Sequence, residues 1–269
     1  MASDLIAFIG GGHMASALIG GLRRGGRAAA AIAVVEPDAA QRERLAQAFG
    51  VQAQAAADAR LAEAATVVWA VKPQFFAAAA GPCAPYIGRA LQLSVMAGVR
   101  SAALARASGS AAIVRSMPNT PALIGRGIAG LYARDAVTPT ERSAVEALLA
   151  PTGTLLWVER VEDLDAVTAI SGSGPAYVFY VVEAMMQAGV EMGLSEAQAR
   201  ALALATFDGA TALAAQSPLP PSELRAQVTS KGGTTHAAIS SLDASGVQAA
   251  FVRALQAARQ RAVELGDAF

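Results

Sequence analysis

Two stretches of this chain carry residue types and spacings suited to holding anions. The first is Gly10-Gly11-Gly12-His13-Met14-Ala15, which follows the short apolar run Leu5-Ile6-Ala7-Phe8-Ile9 and leads into a helical pattern through Leu18, Ile19 and Leu22. This is G-x-G-x-x-A placed between a strand and a helix. Glycine at Gly10 permits a tight turn, glycine at Gly12 lets backbone approach a pyrophosphate, and a small Ala15 lets helix pack on strand. The phosphates would rest on the helix N-terminus, with His13 and Met14 in the permissive positions beside them. The second stretch is Val228-Thr229-Ser230-Lys231-Gly232-Gly233-Thr234-Thr235-His236, just ahead of an Ala- and Leu-rich run that reads as helix. Its backbone N–H groups could converge on one carboxylate. The alternative is an ordinary helix start with a Gly-Gly turn.

Other polar residues stand where strands end. Ala31-Ile32-Ala33-Val34-Val35 reads as a second strand and ends at Glu36, about twenty residues past the glycines, where an acid normally accepts the ribose 2′-hydroxyl and repels a 2′-phosphate. Glu36 therefore argues for NAD. Arg42 and Arg44, on the helix that Asp38-Ala39-Ala40-Gln41 opens as a capping box, either reach a phosphate or form a solvated face. Thr66-Val67-Val68-Trp69-Ala70-Val71 closes on Lys72-Pro73, at the carboxyl edge where open α/β sheets bind ligands. Lys72 and Lys231 are the only lysines; either they serve the site or they are survivors of a drift toward arginine. The run 91–96 is the next strand, with Ala97-Gly98 at its end where backbone could approach a cofactor ring. Ala111-Ala112-Ile113-Val114-Arg115 leads into Met117-Pro118-Asn119-Thr120-Pro121, a stiff proline-bracketed loop that either lines a site or only connects.

These residues need a scaffold of strands alternating with helices. Further strands are expected at 127–132 and 154–158, and a well-marked helix start at Thr138-Pro139-Thr140-Glu141. From Val161 onward strand signals stop and long apolar runs at helical spacing take over, so the domain boundary is placed near residue 160. Ser171-Gly172-Ser173-Gly174-Pro175-Ala176-Tyr177 reads as a second unusual loop before a new helix. Ser195-Glu196-Ala197-Gln198 is another capping box, and a last helix is expected from about Val247 to Leu265. The later helices are apolar over more than one face, which a lone helical domain of this size struggles to bury; dimerisation is the natural remedy.

Composition sets the outer limits. The chain has 269 residues, 21 basic and 21 acidic, so it carries no basic footprint for nucleic acid or an acidic membrane. Cys83 is the only cysteine, which excludes an intrachain disulfide and suits a cytoplasmic location. The N-terminus has no basic n-region, and the apolar stretch 176–190 carries Glu183, so neither signal peptide nor membrane span is expected. No metal site is expected.

Taken in order, Phe8 to Ala15, Val71-Lys72-Pro73, Met117 to Pro121, Ser171 to Tyr177 and Val228 to Thr235 resemble the motifs of the pyrroline-5-carboxylate reductase family over essentially the whole chain. The resemblance implies a fold of class α/β: an N-terminal Rossmann dinucleotide-binding domain (1–160) followed by an all-helical substrate-binding and dimerisation domain (161–269), as a homodimer or a ring of dimers. It implies hydride transfer from NADPH or NADH to the C=N of 1-pyrroline-5-carboxylate, giving L-proline. It further implies that Ser230 and the N–H groups of Gly232, Gly233 and Thr234 hold the substrate carboxylate. Thr235 would hydrogen-bond the ring nitrogen as the catalytic contact, and Ala97 and the Asn119 loop would border the nicotinamide. Many members have proline where Lys231 stands, and asparagine often stands at the place of His13. His236 could relay a proton or simply occupy a helix start. A hydroxy-acid dehydrogenase of similar build would need Lys231 or His236 as its base, and a non-catalytic nucleotide-binding protein would turn over no imine.

Overall fold

The computed structural model describes residues 4–267. In chain order its elements begin β1 (Leu5–Ile9), α1 (His13–Arg24), β2 (Ile32–Val35), α2 (Ala39–Phe49), β3 (Ala53–Gln54) and β4 (Ala64–Trp69). They continue with α3 (Phe76–Ile87), β5 (Leu91–Ser94), α4 (Ser101–Ser108), β6 (Ile113–Met117), β7 (Gly127–Ala133), α5 (Pro139–Leu149) and β8 (Gly153–Trp157). Helices α6 (Asp163–Val167), α7 (Gly174–Glu191), α8 (Glu196–Gln216), α9 (Pro221–Gln227), α10 (Thr234–Ala244) and α11 (Val247–Asp267) complete the chain.

The strands form one sheet in the order β3-β2-β1-β4-β5-β6-β7-β8. All neighbours are parallel except β6 and β7. Chain order reverses direction at β1, between β2 and β4, which is the topological switch point of a Rossmann sheet. Alternate residues of each strand face opposite layers. Phe8, Val68, Leu93 and Val114 pack with Leu18 and Ile19 of α1 and Val145 and Leu149 of α5. Ala7, Ile9, Val67, Trp69 and Ile113 pack with Phe76, Cys83 and Ile87 of α3 and Leu104 of α4. With both faces covered, the strands read as continuous apolar runs, which is why their positions are visible in the sequence.

Packing divides the chain into a first unit that runs through Gly174 and resumes at Ala258, and a second unit, Pro175–Ala257. The strands end at Trp157, close to the expected boundary of 160, but α6 and the turn after it pack with the sheet. Gly130 of β7 lies so close to Val167 that a Cβ there would come 2.7 Å from Cγ1. The expected loop at Ser171–Tyr177 is instead a π-helical turn over Thr168–Gly172 running almost directly into α7. Ser173 N–H donates to the Thr168 carbonyl at 2.8 Å. The hydroxyls of Thr168 and Ser171 donate back to the carbonyls of Leu164 and Val167. These back-bonds accompany the wider turn, and Pro175 then stands in the first turn of α7, where its missing N–H costs nothing.

The last turns of α11 belong to the first unit. Arg100, immediately before α4, forks its guanidinium to Asp165 Oδ2 of α6 (3.1 Å) and to Asp267 Oδ1 (3.2 Å) and the Val263 carbonyl (3.3 Å) of α11. Gly266 leaves room for it, since a Cβ there would lie 2.4 Å from the guanidinium carbon. Arg115 on β6 is buried nearby; burial and the Arg100 charge, opposed by Asp165, pull its guanidinium down to about 10.

In the second unit, few side chains are covered within the chain itself. Val182, Ala199 and Ala203 are buried, and a Cβ on Gly189 would lie 2.8 Å from that of Ala199. Phe179, Tyr180, Met192, Leu202 and Leu213 are more than half exposed. Among the described residues, no helix is long and apolar enough to cross a membrane.

Candidate active site

The carboxyl ends of β1, β2 and β4 are in register, with Ile9 beside Val35 on one side and Trp69 on the other. The segments that follow these strands enclose a cavity of about 650 Å³ in the first unit. Gly10, Gly12, Glu36, Val71 and Lys72 line it, with Ala55–Ala57 and one face of α3 completing the wall. Gly10 turns at φ +94°, and a Cβ there would lie 2.9 Å from the Ala70 carbonyl carbon and oxygen. Only glycine suits both the conformation and the contact. Gly12 is different: it has φ −67°, and an added Cβ would meet nothing within 4 Å. Its space is open toward solvent, as a bound phosphate requires.

Helix α1 starts at His13 without a side-chain cap and without an acid in its first turn. Its first main-chain bond is Ser16 N–H to the Gly12 carbonyl (2.8 Å), so the N–H groups of His13, Met14 and Ala15 precede the helical ladder and are free for an anion. Ala15 is fully buried and lets α1 lie against the sheet, while Met14 packs partly on the core. His13 is exposed.

Glu36 is the best-positioned polar group in this cavity. Its Oε2 accepts from Gly11 N–H (2.8 Å) and its Oε1 from Asp38 N–H (2.9 Å). The carboxylate thus fixes the glycine loop while staying on the cavity wall. Gln41 was expected to close a capping box with Asp38. Asp38 does cap α2 through Ala40 N–H (3.0 Å), but the Gln41 amide donates to the Gly11 carbonyl instead. The N–H and the carbonyl of Gly11 are therefore both held by side chains, from Glu36 just after β2 and from Gln41 of α2. Gly11 also sits close to Leu45, whose Cδ1 would lie 2.7 Å from a Cβ. None of this is visible from a position that the motif leaves free.

The remaining first-unit residues are placed as follows. Lys72 is exposed and precedes a 3₁₀ turn that Pro73 opens. Ala97 is half-buried beyond β5. Gly98, expected to let backbone approach a cofactor ring, has φ +77° and lies against Leu265 of α11, whose carbonyl oxygen would be 3.4 Å from a Cβ. Asn119 uses its side chain at both ends: Oδ1 accepts from Ile128 N–H (3.0 Å) and Nδ2 donates to the Ser171 carbonyl (3.2 Å). It braces the end of β6 against β7 and the π turn. Cys83, absent from the sequence-based site, lines the cavity from α3, and burial pushes its thiol up to about 11.

In the second unit, Ser230 to Gly233 form the turn between α9 and α10, with Gly232 at φ +78°. Gly233 precedes α10 without a side-chain cap, and the first turn holds no acid. The first helical bond is Ala237 N–H to the Gly233 carbonyl (3.1 Å), leaving the N–H groups of Thr234, Thr235 and His236 ahead of the ladder. Gly233 departs from expectation: its N–H donates to the Ser230 carbonyl at 3.0 Å. A Cβ on Gly233 would also strike the Ser230 hydroxyl at 2.7 Å, so this glycine shapes the turn. Ser230, Lys231 and His236 are exposed, and Thr235 is half-buried. Among the described residues, no group of three or more His, Cys, Asp or Glu is placed to hold a metal ion.

Comparison with known proteins bears directly on this arrangement. Residues 5–98 match the family model described as NADP oxidoreductase, coenzyme F420-dependent. Residues 162–265 match the model described as pyrroline-5-carboxylate reductase dimerisation. The pyrroline-5-carboxylate reductase of Pseudomonas aeruginosa is 43% identical over 269 residues, covering 99% of this chain and 98% of its own. The chain belongs to the pyrroline-5-carboxylate reductase family. Solved members share its fold throughout. The enzyme from Coxiella burnetii superposes with a TM-score of 0.89 at 33% identity, covering 98% of this chain and 99% of its own. The Plasmodium falciparum enzyme, whose structure has NADP bound, gives 0.88 at 27% identity and 99% coverage of both chains.

Proposed function

We propose that this chain reduces 1-pyrroline-5-carboxylate to L-proline with a reduced nicotinamide dinucleotide, as the last step of proline biosynthesis. The observation that carries this reading is the near-complete alignment with the Pseudomonas aeruginosa reductase at 43% identity. The two uncapped helix starts, preceded by glycine turns, agree with it: one suits a pyrophosphate and the other a carboxylate.

The cavity residues fit a dinucleotide. The open face of Gly12 and the free N–H groups at the start of α1 hold its pyrophosphate, Glu36 takes the adenosine ribose, and Val71, Lys72 and Pro73 line the adjoining wall. Ala97 and the Asn119 loop border the nicotinamide. When bound, the reduced nicotinamide supplies the hydride for the ring C=N carbon. For the substrate, the Ser230 hydroxyl and the N–H groups of Gly232, Thr234 and Thr235 hold the carboxylate, while the Gly233 N–H holds the turn. The Thr235 hydroxyl hydrogen-bonds the ring nitrogen. An imine accepts hydride readily once its nitrogen is protonated, so the chain's task is chiefly orientation. Neither glycine loop contains Asp or Glu, which suits a site that places a cationic ring rather than donating a proton from a carboxylic acid.

The protein works as a homodimer through the exposed apolar side chains of its second unit, with rings of dimers as the larger assembly, in the cytoplasm and without nucleic-acid or membrane partners. The family match at 162–265 and the exposed Phe179, Tyr180, Met192 and Leu213 support the dimer. The test of function is oxidation of NADH and NADPH with 1-pyrroline-5-carboxylate as acceptor, with proline measured as product. Absence of turnover with both cofactors, in protein that still binds nucleotide, refutes the substrate assignment.

A further inference from the structure

We infer that the π turn over Thr168–Gly172 positions the loop that presents the nicotinamide, and that Asn119 is the positioning residue that links the two. The inference rests on the reductase reading for the reaction itself; the place of the loop beside the nicotinamide half of the cofactor follows from the sheet.

Strands β1, β4, β5 and β6 are parallel neighbours in that order, so they end on the same edge. With the pyrophosphate over β1 and the adenosine half on the β2 side, the nicotinamide half of an extended dinucleotide runs the other way, over the ends of β4, β5 and β6. Residues 118–126 stand at that edge, because β6 ends there and the antiparallel β7 begins there. The loop's own main-chain bonds close within it: Ala122 N–H donates to the Asn119 carbonyl and Arg126 N–H to the Pro121 carbonyl, each at 3.1 Å. They give it shape without fixing where it stands.

That is the task of the Asn119 side chain, which accepts from Ile128 N–H at the start of β7 and donates to the Ser171 carbonyl of the π turn. The Ser171 carbonyl is open to it for a chemical reason. In a continuing helix it would accept from the residue four on, and Pro175 there has no N–H. The turn itself is firmly held. Ser173 N–H closes it on the Thr168 carbonyl, and the hydroxyls of Thr168 (2.7 Å) and Ser171 (3.0 Å) donate back to α6. Val167 rests on Gly130 of β7, and Gly172 leaves room for the methyl group of Met117, the last residue of β6. Asp165 of α6 is anchored by Arg100 at 3.1 Å. A turn held from β6, β7 and the start of α4 is a rigid support, and hydride transfer needs one, since a misplacement of about 1 Å costs roughly a hundredfold in rate.

The experiment titrates two ligands calorimetrically into the full-length protein. One is whichever of NADH and NADPH it binds more tightly; the other is the matching fragment without nicotinamide, ADP-ribose or its 2′-phosphate. Asn119→Asp keeps an acceptor for the Ile128 N–H but, ionised at neutral pH, cannot donate to the Ser171 carbonyl. This variant is expected to bind the fragment within about twofold of wild type and the reduced dinucleotide about fivefold or more weakly. Its kcat with 1-pyrroline-5-carboxylate, counted per fragment-binding site, is expected to fall about tenfold or more. A brace that served stability alone would lower the melting temperature and leave affinities and per-site kcat at wild-type values, which overturns the inference; so does an equal loss of affinity for fragment and dinucleotide. If the variant does not fold, wild-type protein decides. Its Ile128 amide is expected to exchange with solvent about threefold or more slowly under the reduced dinucleotide than under the fragment, and equal exchange overturns the inference. Absence of imine turnover by wild-type protein defeats the reductase reading and leaves the binding comparison to decide this one. Binding of neither ligand overturns both.

Discussion

Replacing Gly12 with alanine separates what the glycine loop does for the fold from what it does for the cofactor. The backbone at Gly12 is extended, with φ −67° and ψ −166°, so alanine fits without strain, and its Cβ touches nothing in the protein. The cost to folding is that of a poorer residue before a helix, about 0.5–1 kcal/mol. If phosphates approach the N–H groups here, the same methyl stands in their way, and crowding of that kind costs about 1–3 kcal/mol. Affinity for NADH should then fall by roughly 5- to 150-fold. Gly10→Ala is the converse. At φ +94° and 2.9 Å from the Ala70 carbonyl group, it should cost about 1–3 kcal/mol in backbone strain alone. A similar steric penalty adds to that, against a total stability of roughly 5–15 kcal/mol. Calorimetric NADH titration and thermal unfolding of both variants provide the test. Wild-type NADH affinity in a folded Gly12→Ala protein refutes the placement of the pyrophosphate at this loop.

Further outcomes follow from other contacts. Arg100→Met strands Asp165, whose side chain is only 6% exposed, and should cost about 3 kcal/mol in stability; Arg100→Lys should recover only part of it, since one ammonium cannot fork to two carboxylates. An Arg100→Met protein as stable as wild type in denaturant titration refutes the clamp. Thr235→Ala should lower catalytic efficiency with the imine by roughly tenfold or more while leaving ADP-ribose affinity unchanged; wild-type kinetics would remove Thr235 from the site. Burial raises the Cys83 thiol from 9.0 to about 11, so the native state keeps a proton that the unfolded chain gives up. That contribution is complete below pH 9 and is lost as pH rises through 11. Cys83→Ala should therefore show a shallower fall in stability across that interval, measured by urea unfolding at several pH values.

Features set by neighbouring residues were legible in the sequence. The capping boxes at Thr138 and Ser195 are both present, because each motif closes on itself within four residues. The long strands announce themselves through apolar runs, whereas β3, two residues long, has no period to detect. Glu36 was found by its distance from Gly10, but its bond to Gly11 was not, since a free position in a motif has no signature. The new helix starts at Gly174-Pro175 as its proline suggests, but the turn at Thr168–Gly172 reads as loop in the sequence, because the hydroxyl back-bonds that carry the chain through it depend on the folded geometry. Asn119 was recognised as unusual, yet its two hydrogen bonds reach Ile128 and Ser171, partners that only the sheet brings near. The hold of Arg100 on Asp267 spans 167 residues and leaves no local trace at all.

That last contact bears on the order in which the protein can assemble. Every strand of the sheet has been made once Trp157 is in place, so on the ribosome the nucleotide-binding half can collapse early, as N-terminal domains do. It cannot finish. The hollow beside Gly98 and the charge of Arg100 wait for Leu265, Gly266 and Asp267, which arrive only after all the helices of the second unit have been synthesised. The end of the chain thus acts as a completion signal: a polypeptide released before α11 is whole leaves its first half with an open seam and Arg100 held by Asp165 alone.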